Sequence, residues 1–184
     1  MQTWHYRQMV TIRVVEAKLQ ELCLKGEAGD LHFSKGQEAI SVGVCSALRR
    51  TDYIVTHHRT IAHEIAKGAE IYQLLAEILG KATGLNGGMA GEMHVSNWRI
   101  RHAFSFQLVG TCVPVATGLA YAVKYYRKSD DVVAVFFGDA ATSNGQFHEA
   151  LNSPRSGGSR SSLYARTTGS PATSGRSTTS RLRR

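Results

Sequence analysis

Apolar positions recur at three- and four-residue steps through residues 4–25, where Met9, Ile12, Val15, Leu19 and Leu22 share one side of a predicted helix. Gly26 and Gly29 punctuate its end. Residues 36–48, GQEAISVGVCSAL, predict a second helix, with Ile40, Val44 and Leu48 on one side. The segment DYIVTHHR predicts a short strand over 53–56 running into a polar turn, and helices follow over 60–67 and 70–82. Residues 84–94, GLNGGMAGEMH, carry four glycines in eleven positions and read as a loop. Pro114–Arg127 is a small-residue helix able to pack closely. Residues 130–139, DDVVAVFFGD, form a continuous apolar run rich in β-branched residues, which fits a parallel strand buried on both faces. Helices alternating with short buried strands predict an α/β fold: an open parallel sheet flanked by helices.

Composition changes the picture at one point. Beyond Asn152 the chain becomes SPRSGGSRSSLYARTTGSPATSGRSTTSRLRR, with nine Ser, seven Arg, five Thr and no acid. Such a segment buries too little apolar surface to offset its ordering entropy, so residues 153–184 are expected to be a disordered tail. Of the net charge of +8, +7 belongs to it. Seven of the 22 Lys and Arg, and none of the 14 Asp and Glu, lie beyond Asn152, so residues 1–152 carry only +1. With Tyr164 its single aromatic, the tail offers electrostatics and little stacking; any nucleic-acid binding by it is expected to be weak and salt-sensitive, with no specific sequence. Cys23, Cys45 and Cys112 show no metal or redox spacing, and the start has no apolar leader region. No run approaches the roughly 20 apolar residues of a membrane span. These features predict a cytoplasmic chain with no membrane partner.

The candidate chemistry sits at Gly138-Asp139, where a buried strand delivers a carboxylate at its carboxyl end. Open α/β sheets bind ligands there. Small residues, Ala140 to Ser143, follow, then a helix. One carboxylate with carbonyl oxygens and a ligand diphosphate suits Mg²⁺; an aspartate that caps a turn or helix would look the same locally.

Five motifs in order then carry a resemblance. GQEAISVGV is similar to a GQEA helix, THHRTIAHEIAKG to THRGHGH-x-x-AKG, EILGKATGLNGGMAGEMH to GKATG…GKGGSMH, LVGTCVPVATGLAYAVKY to IVGAQVPLGTGLA-x-A-x-K, and GDAATSNGQFHEALN to the GDG half of a thiamine-diphosphate motif. Residues 5–152 thus resemble the alpha subunit of the decarboxylating dehydrogenase component of 2-oxo acid dehydrogenase complexes, of pyruvate or acetoin type. The resemblance implies the thiamine-diphosphate-binding fold, truncated in its C-terminal part. It also implies thiamine diphosphate and Mg²⁺ as cofactors. The implied reaction is oxidative decarboxylation of a small 2-oxo acid, or cleavage of acetoin, with acyl transfer to a lipoyl group.

By position, the resemblance makes Asp139 the Mg²⁺ ligand, with Gly138, Ala140 and Ala141 along the diphosphate. Arg59 would bind the diphosphate with its fixed, permanently charged fork. His58 would lie beside the cofactor, Gln107 and Val109 would contact its pyrimidine, and His63 and His94 would be catalytic candidates near the site. Departures are Ala140 for Gly, which requires a backbone without positive φ there, Ile61-Ala62 for His-Gly, and Gln107 for Gly. The partners implied are a beta subunit in an α2β2 assembly, which supplies the glutamate that activates the pyrimidine, and a lipoyl-bearing acyltransferase.

After FHEALN the family is apolar, whereas this chain turns to Ser and Arg. Written in GC-rich codons and started one base early, the tail can be read as LAAVWRLPVLVVCENN. Its Asn-Asn pair falls at positions 167 and 168, with 26 residues between it and Ala140, which is the motif's spacing. A one-base shift of frame near codon 152 is therefore expected. The alternatives are a natural basic tail, a nucleic-acid adaptor, and a catalytically dead chain that docks on a beta subunit. As written, the strand at 132–137 is expected to lose a neighbour, and the chain to bind cofactor poorly and to be inactive.

Overall fold

Side chains of the strand Tyr53–His57 (β1) alternate between two apolar layers: Ile54 joins one, Tyr53 and Val55 the other. The strand Val133–Val135 (β3) and the two residues after it do the same, with Ala134 and Phe136 on one face and Val133, Val135 and Phe137 on the other. This period-two alternation, with both faces apolar, forces a helical layer on each side of the sheet. The structure, a computed structural model, describes residues 2–157 and 162–163.

The first layer holds helices Gln2–Leu24 (α1), Glu38–Ala47 (α2), Ile61–Lys67 (α3) and Ile71–Ile78 (α4), joined by Ile12, Leu19, Val42, Ile61, Ile65 and Leu74. The second holds Cys112–Tyr125 (α5) and Gly145–Gly157 (α6), through Val113, Ala116, Ala120, Phe147 and Ala150. With strands His102–Phe106 (β2) and Ser162–Leu163 (β4), the sheet runs β2-β1-β3-β4, all parallel. The expected α/β architecture is present.

Several expectations are corrected. β2 was not legible as a strand. The run at 130–139 is strand only over Val133–Val135, because Asp130 and Asp131 ahead of it pair with Arg49 and Ser129. α4 stops at Ile78 rather than 82, four residues short, where the chain turns through Gly80 at φ +65°. β3 keeps a neighbour: Ala134 and Val135 pair with Ser162 and Leu163. Helix α6 passes through the compositional break at Asn152. Pro154 has no N–H to offer the Ala150 carbonyl, and Thr117 Oγ1 reaches that oxygen at 3.4 Å instead. The expected disorder of the tail concerns residues outside the described ones, apart from those in α6 and β4.

Candidate functional site

The connection leaving β1 enters α3 in the first layer, and the connection leaving β3 enters α6 in the second. β1 and β3 are adjacent, so their carboxyl ends splay apart at a topological switch point, where such sheets form a ligand crevice. Three of the expected residues fall on its two lips: His58 and Arg59 follow β1, and Asp139 follows β3.

The β1 lip is held from beneath. His102 Nε2 lies 3.0 Å from both the Phe104 carbonyl and Thr56 Oγ1. A carbonyl only accepts, so Nε2 carries the hydrogen. Thr56 Oγ1 lies 3.2 Å from Thr60 Oγ1, which donates to the His57 carbonyl at 2.9 Å. The acceptor at the far end orients the whole chain: His102 to Thr56 to Thr60 to His57. Behind it, His102 Nδ1 meets Glu64 Oε1, with both side chains fully buried, and Asn97 Nδ2 donates to Glu64 Oε2 at 3.0 Å. The turn carrying His58 and Arg59 is thus fixed to α3 and β2. His57 Nδ1 accepts the Arg59 N–H at 3.1 Å, and Arg59 Nη1 donates to the Phe33 carbonyl at 2.8 Å. That bond uses one of the five guanidinium donors.

His63 does not face the crevice. It is fully buried, with its ring stacked on Phe136 at 3.9 Å and edge-on to His57 at 5.6 Å. α3 turns its side chain into the core behind His57. His58 is half-buried and its ring touches His57 at 5.3 Å and His32 at 5.0 Å.

Gln107 and Val109 leave the end of β2 exposed, Val109 at 50%. Gly110, at φ +91°, brings this loop onto the β3–α6 connection: a Cβ there would stand 3.0 Å from Asn144 Nδ2. Cys112 Sγ donates to the Phe136 carbonyl at 3.4 Å, a second tie between the two loops. Burial pushes the Cys45 and Cys112 thiols up to about 12, so both are inert packing groups.

On the β3 lip, Gly138 is extended and half-buried, and Asp139 opens a short 3-10 turn, Asp139–Ser143. Asp139 is exposed and does not cap α6; Asn144 Oδ1 does, accepting the Gln146 N–H at 3.0 Å. The aspartate thus heads a turn and does not cap α6. Ala140 has no positive φ, as its side chain requires. Ala141 is 1% exposed and packs in the second core layer, so only its backbone can line a ligand. No group of three or more His, Cys, Asp or Glu among the described residues forms a metal cluster. A single protein carboxylate is nonetheless a sufficient protein share for Mg²⁺ held together with a diphosphate.

The glycine-rich loop is organised by one residue absent from the sequence expectations. Glu77, fully buried, accepts the N–H groups of Asn86 and Gly88 on Oε2 at 2.6 and 2.9 Å, and those of Ala90 and Gly91 on Oε1 at 2.7 and 3.2 Å. Burial raises its pKa, and the four amides outweigh this and leave it below the usual glutamate value. At the loop's end, Ser105 Oγ of β2 bonds the Met93 and Val95 carbonyls on either side of the exposed His94. His94 therefore lies near the carboxyl end of β2. Glu92, Glu16 and His32 were also missed. Glu92 accepts the His32 N–H at 3.0 and 2.8 Å, and Glu16 accepts the Ser34 N–H at 2.8 Å. They come from three distant segments, and only the Glu92 position lay in a motif.

A parallel sheet with a helical layer on each face, and with Arg59 and Asp139 in the connections that leave it at the switch point, defines an α/β domain. A profile of the dehydrogenase E1 component family matches residues 6–155, and the chain belongs to that family. It is 41% identical over 150 residues to the alpha subunit of acetoin:2,6-dichlorophenolindophenol oxidoreductase of Bacillus subtilis, covering 81% of this chain and 45% of that protein. It is 35% identical over 153 residues to the chloroplastic pyruvate dehydrogenase E1 component subunit alpha-3 of Arabidopsis thaliana, covering 80% and 36%. The corresponding alpha subunit of Rickettsia bellii is 36% identical over 148 residues, covering 80% and 45%. The chain thus spans less than half the length of these relatives.

Proposed function

We propose that residues 1–152 are the cofactor-binding part of an alpha subunit of a 2-oxo acid or acetoin dehydrogenase, acting with thiamine diphosphate, Mg²⁺ and a beta subunit in the cytoplasm. The observation that carries this is the placement of Arg59 and Asp139 on opposite lips of the β1/β3 switch point. Thiamine diphosphate supplies an electron sink for carbon–carbon bond cleavage next to a carbonyl. The residues of this chain do the rest. Arg59 holds diphosphate oxygens, Asp139 takes one position on the metal, and the backbone at Gly138 to Ala141 runs along the phosphates. Val109 and Gln107 shape the seat of the pyrimidine, and His58 and His94 flank the crevice. Acyl transfer passes to a lipoyl-bearing acyltransferase.

The tail is read as a shifted frame. The family match stops at residue 155, three residues past Asn152. Ser162 and Leu163, which pair with β3, fall where the restored frame reads Leu-Val inside an apolar run.

The test is to sequence the coding DNA from codon 145 past codon 184. The restored chain is then expressed with a beta subunit, and 2-oxo acid-dependent or acetoin-dependent reduction of dichlorophenolindophenol is assayed. One added base opening a frame through CENN, with dye reduction that requires thiamine diphosphate, is the expected result. Serines encoded by AGC or AGT, and no such frame, would overturn the frame shift. Co-purification with the beta subunit without turnover would make this a docking chain.

A further inference from the structure

His32 is gripped by a buried carboxyl on a facing segment. Glu92, in the place of the Ser of the GKGGSMH stretch, is 5% exposed, and both its oxygens accept the His32 N–H. His32 Nδ1 lies 3.6 Å from Glu92 Oε2, while the His32 side chain is 44% exposed and its ring stands edge-on to His58 at 5.0 Å. A second buried carboxyl, Glu16 of α1 at 3% exposure, holds the Ser34 N–H two residues further on. The charged and titratable groups facing Glu92 are therefore Glu16 from α1, His32 from the α1–α2 connection, and Arg59 from the turn after β1. Two buried carboxyls side by side resist joint ionisation. Burial first, and then the charge of Glu16, push Glu92 up to about 8, against the His32 amide and Arg59.

The geometry points to Glu92 as a proton-operated positioning residue for the crevice: neutral, it holds only the His32 main chain and leaves the ring against His58; ionised, it draws the His32 ring inward, away from His58. Ionisation places a second negative charge beside Glu16, and the exposed His32 ring is the partner with room to answer it. That His58 lines the cofactor site rests on the proposed function; the movement itself does not.

The test uses the 184-residue chain alone, without cofactor or beta subunit. Ring-proton shifts of His32 and His58 and the carboxyl carbon shift of Glu92 are followed by NMR from pH 6 to 10. The indole N–H of Trp98, packed on Tyr53 and Phe104, reports the fold. The expected result is a His58 inflection that coincides with the Glu92 titration near pH 8. It should vanish in Glu92→Gln and in His32→Ala, the second variant leaving the Glu92 carboxyl to titrate. A His58 inflection near pH 8 that persists in either variant, or a Glu92 carboxyl that does not titrate in this range, overturns the proposal. Failure of cofactor binding in the restored enzyme would bear on the proposed function and leave these shifts as they are.

Discussion

Glu64 on α3 and His102 on β2 meet side chain to side chain with neither exposed, although 38 residues separate them. They are the root of the hydrogen-bond chain that ends on the His57 carbonyl. Removing one member leaves the other buried without its counterpart, a loss of about 3–5 kcal/mol. His102→Leu is expected to lower unfolding free energy by that order in urea titrations. The double variant Glu64→Leu/His102→Leu should cost less than the sum of the singles, because the stranded charge is removed with its partner. Additive losses would show that the two side chains do not act as a pair.

Glu77 makes stability depend on acid. Its pKa is lowered in the folded chain from 4.5, so its contribution is present above that value and is lost as pH falls through the folded one. Glu77→Gln turns one amide-accepting oxygen into an NH₂ group facing two N–H donors. It is expected to cost about 2–4 kcal/mol at pH 7, with the gap to wild type closing as pH drops below about 4. Parallel unfolding curves at pH 7 and pH 3.5 with an unchanged gap would refute this.

Two adjacent glycines separate conformational from steric need. Gly87 and Gly88 have φ of +70° and +76°, but a Cβ at Gly87 meets nothing within 4 Å, while one at Gly88 falls 2.6 Å from the Gly80 carbonyl carbon and 2.7 Å from the Lys81 oxygen. Gly87→Ala should cost about 1–2 kcal/mol for the left-handed backbone alone. Gly88→Ala adds overpacking of about 1–3 kcal/mol, so its melting temperature should fall further. Equal melting temperatures would mean the loop shifts freely.

Arg59 discriminates charge from shape. In the frame-restored chain with its beta subunit, Arg59→Lys keeps the charge and loses the planar fork. We expect thiamine diphosphate binding, followed by calorimetry with Mg²⁺, to weaken by about tenfold or more, from about 1.5–3 kcal/mol of charge-assisted hydrogen bonding. The 184-residue chain is expected to show no micromolar saturable binding. Tight binding by it would mean that the segment after Asn152 is not needed.

The sequence by itself determined the apolar periodicities of α1 and α2, the doubly buried character of β3, and the family, because motifs such as GQEA and GDAATSNGQFHEALN are local strings. It placed Arg59 and Asp139 in the segments that follow β1 and β3, although β3 itself ends at Val135, four residues before Asp139. β2 stayed hidden because its buried positions are His102, Ala103 and Ser105 while Phe104 is 39% exposed, the reverse of an apolar alternation. Only the fold supplies Glu64 to satisfy His102, and only the fold buries Glu77 beneath four amides or sets Glu92 and Glu16 around His32. It also turned His63 and Ala141 into the core, although both lie inside motifs. Periodicity reports which residues prefer to leave water. Which polar groups can follow them depends on partners that distant segments bring, and that pairing exists only in three dimensions.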